Sequence, residues 1–155
     1  MAARRLLLFD VDGVLIEKGE LRRPPGAAEA LAQLRHDGNA VLSLLTEEDE
    51  AGARRRTDKV GVDRYLDLDV ASCGPAAQVS FARQKAEDGY GCEFTVVAVT
   101  AASTADVARA RPQADIVVAV DPTETAGDEL RAAGADQVVT TLLGVVELAK
   151  GSHVG

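Results

Sequence analysis

Short apolar runs recur along the chain, separated by stretches in which apolar residues return every three or four positions. The runs cover 6–9 (Leu6-Leu7-Leu8-Phe9), 40–45, a weaker one at 66–71, then 94–99, 116–120 and 137–140. Several are continuous rather than alternating, which predicts strands covered on both faces. The intervening stretches predict helices over 25–35, 48–59, 76–87, 105–111, 127–133 and 142–150. In the first of these Ala28, Leu31 and Leu34 share a face, Pro24-Pro25 precedes it and Gly38 follows it, as helix starts and stops require. In the last, Leu142, Val145, Val146 and Ala149 lie on one side. Strands alternating with helices imply an α/β fold, a three-layer α/β/α sandwich around a mostly parallel central sheet. Ligands of such sheets sit beyond the carboxyl ends of the strands, so the residues just after each strand carry the functional question.

The chain has 155 residues, one domain's worth, and at that length about 70% of the unfolded surface is buried on folding. The expected organisation is a single core domain over 1–150 with a disordered tail at 151–155. Aromatic residues make up 3% with no Trp, and the net charge is −8. An aromatic platform for single-stranded nucleic acid is thereby disfavoured, and nucleic acid and anionic membrane would both repel the molecule. Cys73 and Cys92, with only His36 and His153 beside them, do not make a disulfide framework or a structural zinc site. The run at 6–9 is too short for a signal peptide or a membrane span, so the expected location is the cytoplasm.

The first strand leads into Asp10-Val11-Asp12-Gly13-Val14-Leu15. Two carboxylates at i and i+2 point the same way and form a costly like-charge pair. A bridging cation such as Mg²⁺, or a catalytic task for one of them, makes the pair intelligible. One Asp can attack phosphorus while the other moves the proton of the leaving group. Turn-forming aspartates before a glycine are the plainer alternative; the strand before and the Gly-Val-Leu after favour the functional one.

The segment Leu8 to Leu15 resembles the first signature of the haloacid dehalogenase-like superfamily, mostly Mg²⁺-dependent phosphatases. Leu44-Leu45-Thr46 resembles its second signature, a hydroxyl that holds the phosphoryl group. Residues 61–70 and 129–139 resemble segments of phosphoglycolate-phosphatase-like members, so the likeness spans almost the whole chain. It implies Asp10 as nucleophile, Asp12 as general acid/base and Thr46 as phosphate ligand. By the same resemblance Asp10, Asp12 and Asp106 would be the metal ligands.

Three departures accompany the resemblance. The basic residue expected after the third strand is missing: 72–78 reads Ser-Cys-Gly-Pro-Ala-Ala-Gln, and no Lys or Arg occurs between Arg64 and Arg83. At the end of the fourth strand, aligning Asp106 with the family's second acid puts Ala102 where a metal-binding Asp belongs. A Mg²⁺ site anchored by fewer carboxylates is weak. Thr46 is followed by Glu47-Glu48-Asp49, acids that suit a helix's first turn but oppose a phosphate dianion. Arg54-Arg55-Arg56 reads as part of an ordinary charged helix surface, and 121–124 as a turn. The stretch 13–24 is too short for a helical lid between the first two signatures. The expected function is therefore a capless phosphatase-fold protein with a degenerate site, weakly active or non-catalytic, serving as a binding or regulatory module. The alternative is a working Mg²⁺-dependent phosphohydrolase in which Asp106 or an acid of 47–49 completes the metal shell and Arg83, or a partner subunit, supplies the positive charge. The partner would be a small phosphate ester or a protein, and a homo-oligomer is compatible with the sequence.

Overall fold

The structure, a computed structural model, describes residues 4–37 and 39–151, with side chains as far as 148. Six strands alternate with six helices: β1 (Arg4–Phe9), α1 (Ala27–His36), β2 (Ala40–Thr46), α2 (Glu50–Lys59), β3 (Ser72–Cys73), α3 (Val79–Tyr90), β4 (Phe94–Thr100), α4 (Thr104–Ala110), β5 (Ile116–Val120), α5 (Gly127–Ala133), β6 (Gln137–Val139) and α6 (Leu142–Gly151). The strands form one sheet in the order β3-β2-β1-β4-β5-β6, and every pairing in it is parallel.

The continuous apolar runs are explained by the two cores that the sheet separates. Leu7 and Phe9 of β1 join Leu42 and Leu44 of β2, Val97 and Val99 of β4, Leu31 and Leu34 of α1, and Val145 and Val146 of α6. Leu6 and Leu8 point the other way, into a second cluster with Val96, Ala98, Ala82 and Ala86 of α3, Val107 of α4 and Leu130 of α5. Successive strand residues face opposite sides, so a strand with helices on both faces has no polar positions to spare. The result is the expected three-layer sandwich.

The expected strand at 66–71 is replaced by two 3₁₀ turns, Asp63–Tyr65 and Leu68–Val70, and β3 shrinks to two residues paired with Leu45 and Thr46. Asp67 is the cause. Its Oδ1 accepts from the Asp69 N–H at 3.1 Å, its own N–H donates to the Leu42 carbonyl at 2.7 Å, and its carbonyl accepts from Ser43 Oγ at 2.7 Å. Aspartate side chains that bond their own backbone compete with a strand ladder. α2 starts at Glu50 rather than 48, and α3 runs from Val79 to Tyr90, ending at Gly91 with φ 68°. α6 reaches Gly151, inside the expected tail; residues 152–155, Gly38 and the Ala149 side chain lie outside the described residues.

Between β1 and α1, residues 10–26 contain no helix and no inserted domain. The Val11 carbonyl accepts from the N–H groups of both Leu15 and Ile16 at 3.0 Å, and Val11, Val14, Leu15 and Ile16 are buried. This connection is a packed turn without a cap domain. Chain progress across the sheet reverses between β1 and β4, which places a crevice where the loops after those strands diverge.

Candidate active site

Register decides what meets in that crevice. Phe9 stands beside Leu44 of β2 and Val99 of β4, so Asp10, Thr46 and the 101–106 segment all emerge at one edge of the sheet. The Asp10 N–H donates to the Val99 carbonyl at 3.0 Å, which extends the ladder by one bond and fixes the Asp10 side chain. Its Oδ1 accepts from the Val11 N–H at 2.8 Å. Burial pushes the Asp10 carboxyl up to about 7; the nearby charges of Asp106 and Asp12 push the same way, and the Val11 bond and Arg109 oppose them. Gly13 closes the turn at φ 84°, and a Cβ there would lie 3.0 Å from the Ala101 Cβ. The position needs glycine for its conformation and for the close approach of the β4–α4 loop.

Asp10, Asp12, Thr46, Asp106, Arg109 and Asp121 line one open cleft of about 1470 Å³. The structure thus brings Asp10, Asp12, Thr46 and Asp106, the residues expected as catalytic groups or metal ligands, to one cleft. Thr46 is 8% exposed, and its Oγ1 accepts from the Glu48 N–H at 3.2 Å, which leaves the hydroxyl proton available as a donor. Ser103 starts α4 by accepting the Asp106 N–H at 3.3 Å, a side-chain cap that sets the orientation of that helix.

Two arginines that the sequence analysis did not assign to the site pair with its carboxylates. Arg56, on α2, binds Asp12 with both Nη atoms: Nη2 meets Oδ1, and Nη1 lies 3.4 Å from Oδ2. The same Nη1 donates to Glu48 Oε1 at 2.7 Å. Its hydrogen bond to Asp12, followed by that to Glu48, holds the guanidinium well above its ordinary value despite some burial. Arg109, on α4, lies 2.8 Å from Glu47 Oε1 and 3.4 Å from Asp106 Oδ1. The expected surface run at 54–56 therefore sends one member inward. Arg109 had a legible signal, its i, i+3 spacing from Asp106; Arg56 had none, because its contact with Asp12 spans 44 residues.

Arg83 does not supply the site's positive charge. It donates to the carbonyls of Phe94 at 3.0 Å and Gln113 at 2.9 Å and pairs with Asp115 at 3.3 Å. Phe94 opens β4 and the cleft lies past its other end, so Arg83 fastens the opposite edge of the sheet. Lys85 donates to the Ala71 carbonyl at 2.8 Å. Ala102 is exposed on the loop after β4 and brings no donor to the cleft.

The donors do not fit a Mg²⁺ ion held by several carboxylates. Asp12 is engaged by Arg56 and Asp106 by Arg109. Among the described residues no group of three or more His, Cys, Asp and Glu side chains is placed to hold a metal. Cys73 and Cys92 are half-buried free thiols, and burial pushes the Cys73 thiol up, the opposite of an activated nucleophile. Asp121, after β5, is a structural carboxylate that ties the 121–126 turn together through Thr123, Thr125 and Ala126.

No protein-family model matches the sequence, and no curated protein matches it significantly. Solved structures do. A protein from Thermotoga maritima provisionally named a beta-phosphoglucomutase superposes with a TM-score of 0.75 at 16% identity, over 95% of this chain and 99% of that one. A haloacid dehalogenase-like family hydrolase from Streptococcus pneumoniae gives 0.73 at 12% identity, over 96% and 99%. A dehalogenase gives 0.61 at 20% identity, over 82% of this chain and 56% of that one. At such identities the likeness concerns architecture: this chain has the haloacid dehalogenase-like fold.

Proposed function

We propose that this chain is a phosphatase-fold binding or regulatory module with a degenerate catalytic site, built as one core domain over 1–150. The observation that carries the reading is the bridge from Asp12 through Arg56 to Glu48. General acid/base catalysis needs a carboxyl within reach of the leaving-group oxygen and free to exchange a proton. Here both oxygens of Asp12 face a guanidinium, which itself is anchored on a second carboxylate. Phosphoryl transfer depends on positioning and on neutralising charge. This cleft instead adds Glu47 and Glu48 beside Thr46 and has Ala102 where a further metal ligand is expected. Mg²⁺ binding at Asp10, Asp12 and Asp106 is accordingly weak or absent. The occupant is a small phosphate ester or a protein partner, and assembly with a second copy is compatible with the open cleft. The acidic charge and the absence, among the described residues, of any helix long and apolar enough to cross a membrane accord with a cytoplasmic role away from nucleic acid.

The test is hydrolysis of p-nitrophenyl phosphate with Mg²⁺ by the purified chain beside its Asp10→Asn variant. Equal background rates support the module; turnover that persists through purification and vanishes in the variant overturns it. One observation favours the rival phosphohydrolase. Arg109 acts on Asp10 as an opposing positive charge, and a cation near the nucleophile is what that chemistry requires. In that case Asp10 is the nucleophile, Thr46 the phosphate ligand and Arg109 the cation, and Arg109→Met would abolish turnover together with Asp10→Asn.

A further inference from the structure

The cleft is larger than a small anion needs and carries the wrong charge for one. It is open and measures about 1470 Å³, whereas small-molecule sites enclose about 300–1,000 Å³. Eight of its lining residues are Asp or Glu and two, Lys18 and Arg109, are cationic. Arg56 and Arg22 pair with Asp12 and Glu17 from outside that lining and still leave carboxylates in excess. Between the charges the walls are apolar: Pro25 before α1, Pro75 and Ala76 before α3 and Pro122 after β5 are all exposed there. Thr46, at the end of β2, is 8% exposed. Its Oγ1 accepts from the Glu48 N–H at 3.2 Å, and among the described residues its own proton has no acceptor. A hydroxyl can donate once and accept twice, so this one offers a ligand its proton. A peptide carbonyl takes that proton without bringing charge against the acids around it. We infer that the cleft is a docking site for an extended basic segment of a partner protein. Lys or Arg side chains of that segment meet the acidic rim, its apolar side chains lie on the proline walls, and a backbone carbonyl accepts from Thr46.

The inference rests on the reading of the cleft as a binding module and names which of its two occupants it takes. A phosphate ester would find the arginines engaged, Arg109 by Glu47 and Asp106 and Arg56 by Asp12 and Glu48. The acidic side of the balance has a carboxylate to spare. Glu124 lines the cleft and is exposed, and its side chain has no hydrogen bond or ion pair among the described residues. It stands at φ 57° in the 121–126 turn, a conformation uncommon outside glycine. Asp121 holds that turn by accepting from the Thr125 and Ala126 N–H groups at 3.0 and 2.9 Å. The proline walls have no N–H to give, so the partner is held there by its side chains rather than by adding a strand.

The experiment is fluorescence anisotropy with a labelled peptide of repeated Lys-Pro-Leu, which combines cations, apolar side chains and an extended backbone. It is titrated with the wild-type chain and with Glu124→Lys, Thr46→Val and Glu93→Lys. Melting curves verify folding, and Glu124→Gln serves if Glu124→Lys does not fold. Reversing the charge at the rim should raise the Kd by at least about fivefold, and removing the Thr46 hydroxyl should raise it about threefold. Glu93 is exposed just before β4, at the other end of the sheet from the cleft. Its substitution changes the net charge as much as Glu124→Lys does, yet should change the Kd by less than about twofold. A peptide with Glu in place of Lys should not bind. Several results overturn the inference: no saturable binding by the wild-type chain, an equal loss in Glu93→Lys, or equal affinity for the Glu peptide. Spermidine or inorganic phosphate binding as tightly as the Lys peptide does so too, by assigning the cleft to a small cation or a phosphate ester. Turnover is assayed separately. Hydrolysis of p-nitrophenyl phosphate by the wild-type chain would overturn the non-catalytic reading and leave the peptide affinities standing, whereas absence of both binding and turnover would overturn the docking site alone.

Discussion

Asp121 is 2% exposed and accepts from Thr123 Oγ1 at 2.8 Å and from the N–H groups of Thr125 at 3.0 Å and Ala126 at 2.9 Å. These bonds, that of Ala126 first, hold its carboxyl below the ordinary value of 3.8. A depressed carboxyl stabilises the fold above its unfolded value and loses that contribution as pH falls through the lower, folded one. Asp121→Asn should therefore destabilise the protein by about 1–3 kcal/mol at neutral pH, with the gap to wild type closing below about pH 4. Chemical denaturation at pH 7 and at pH 3 measures both. Asp10 behaves in the opposite sense. Its folded carboxyl stands near 7 because burial disfavours the charge, so it favours the fold most below about pH 4 and that contribution is lost as pH rises toward 7. A three-unit shift is about 4 kcal/mol at most, and partial exposure brings it to about half. Asp10→Asn should thus be more stable than wild type by about 2 kcal/mol at pH 8 and nearly equal to it at pH 4, as followed by urea unfolding at the two pH values.

Elements differ in how much of them the sequence disclosed. The helices at 127–133 and 142–150 and the strands at 94–99 and 116–120 were legible because each is set by a local period of apolar residues. The strand at 66–71 was not, because Asp67 finds partners in β2 that lie 24 and 25 positions away in the chain, and apolar pattern carries no information about them. The helix α6 offers a test of packing at this scale. A Cβ on Gly144 would lie 2.7 Å from the Val139 Cβ of β6, so this glycine sets the distance between helix and sheet. Gly→Ala within a helix ordinarily stabilises by about 1 kcal/mol. Here Gly144→Ala should instead destabilise by about 1–3 kcal/mol, the cost of forcing extra volume into a packed contact. A thermal melt showing stabilisation would contradict the close approach.

At the scale of the molecule, the parallel sheet brings the loops after β1, β2, β4 and β5 to one end and leaves the cleft open. That Asp10, Asp12, Thr46 and Asp106 meet in one cleft was legible because each stands at or just after a strand end or in the first turn of a helix, positions that the topology converts into proximity. The bridge from Asp12 through Arg56 to Glu48 was not, since it depends on how α2 lies against the β1–α1 loop. The same packing gives Asp12 a guanidinium partner, the contact on which the proposed degenerate site rests. The most direct test of that claim is a melt of the wild-type chain and of Asp10→Asn with Mg²⁺ plus beryllium fluoride, which mimics a phosphorylated aspartate and needs no known substrate. A ligand at 100 times its Kd adds about 2.7 kcal/mol, and each kcal/mol moves the melt by about 2–4 °C in a protein of this size. The degenerate site predicts no difference in Tm with and without the additives; a rise of about 5 °C or more that Asp10→Asn removes would contradict it and establish a competent aspartyl-phosphate site.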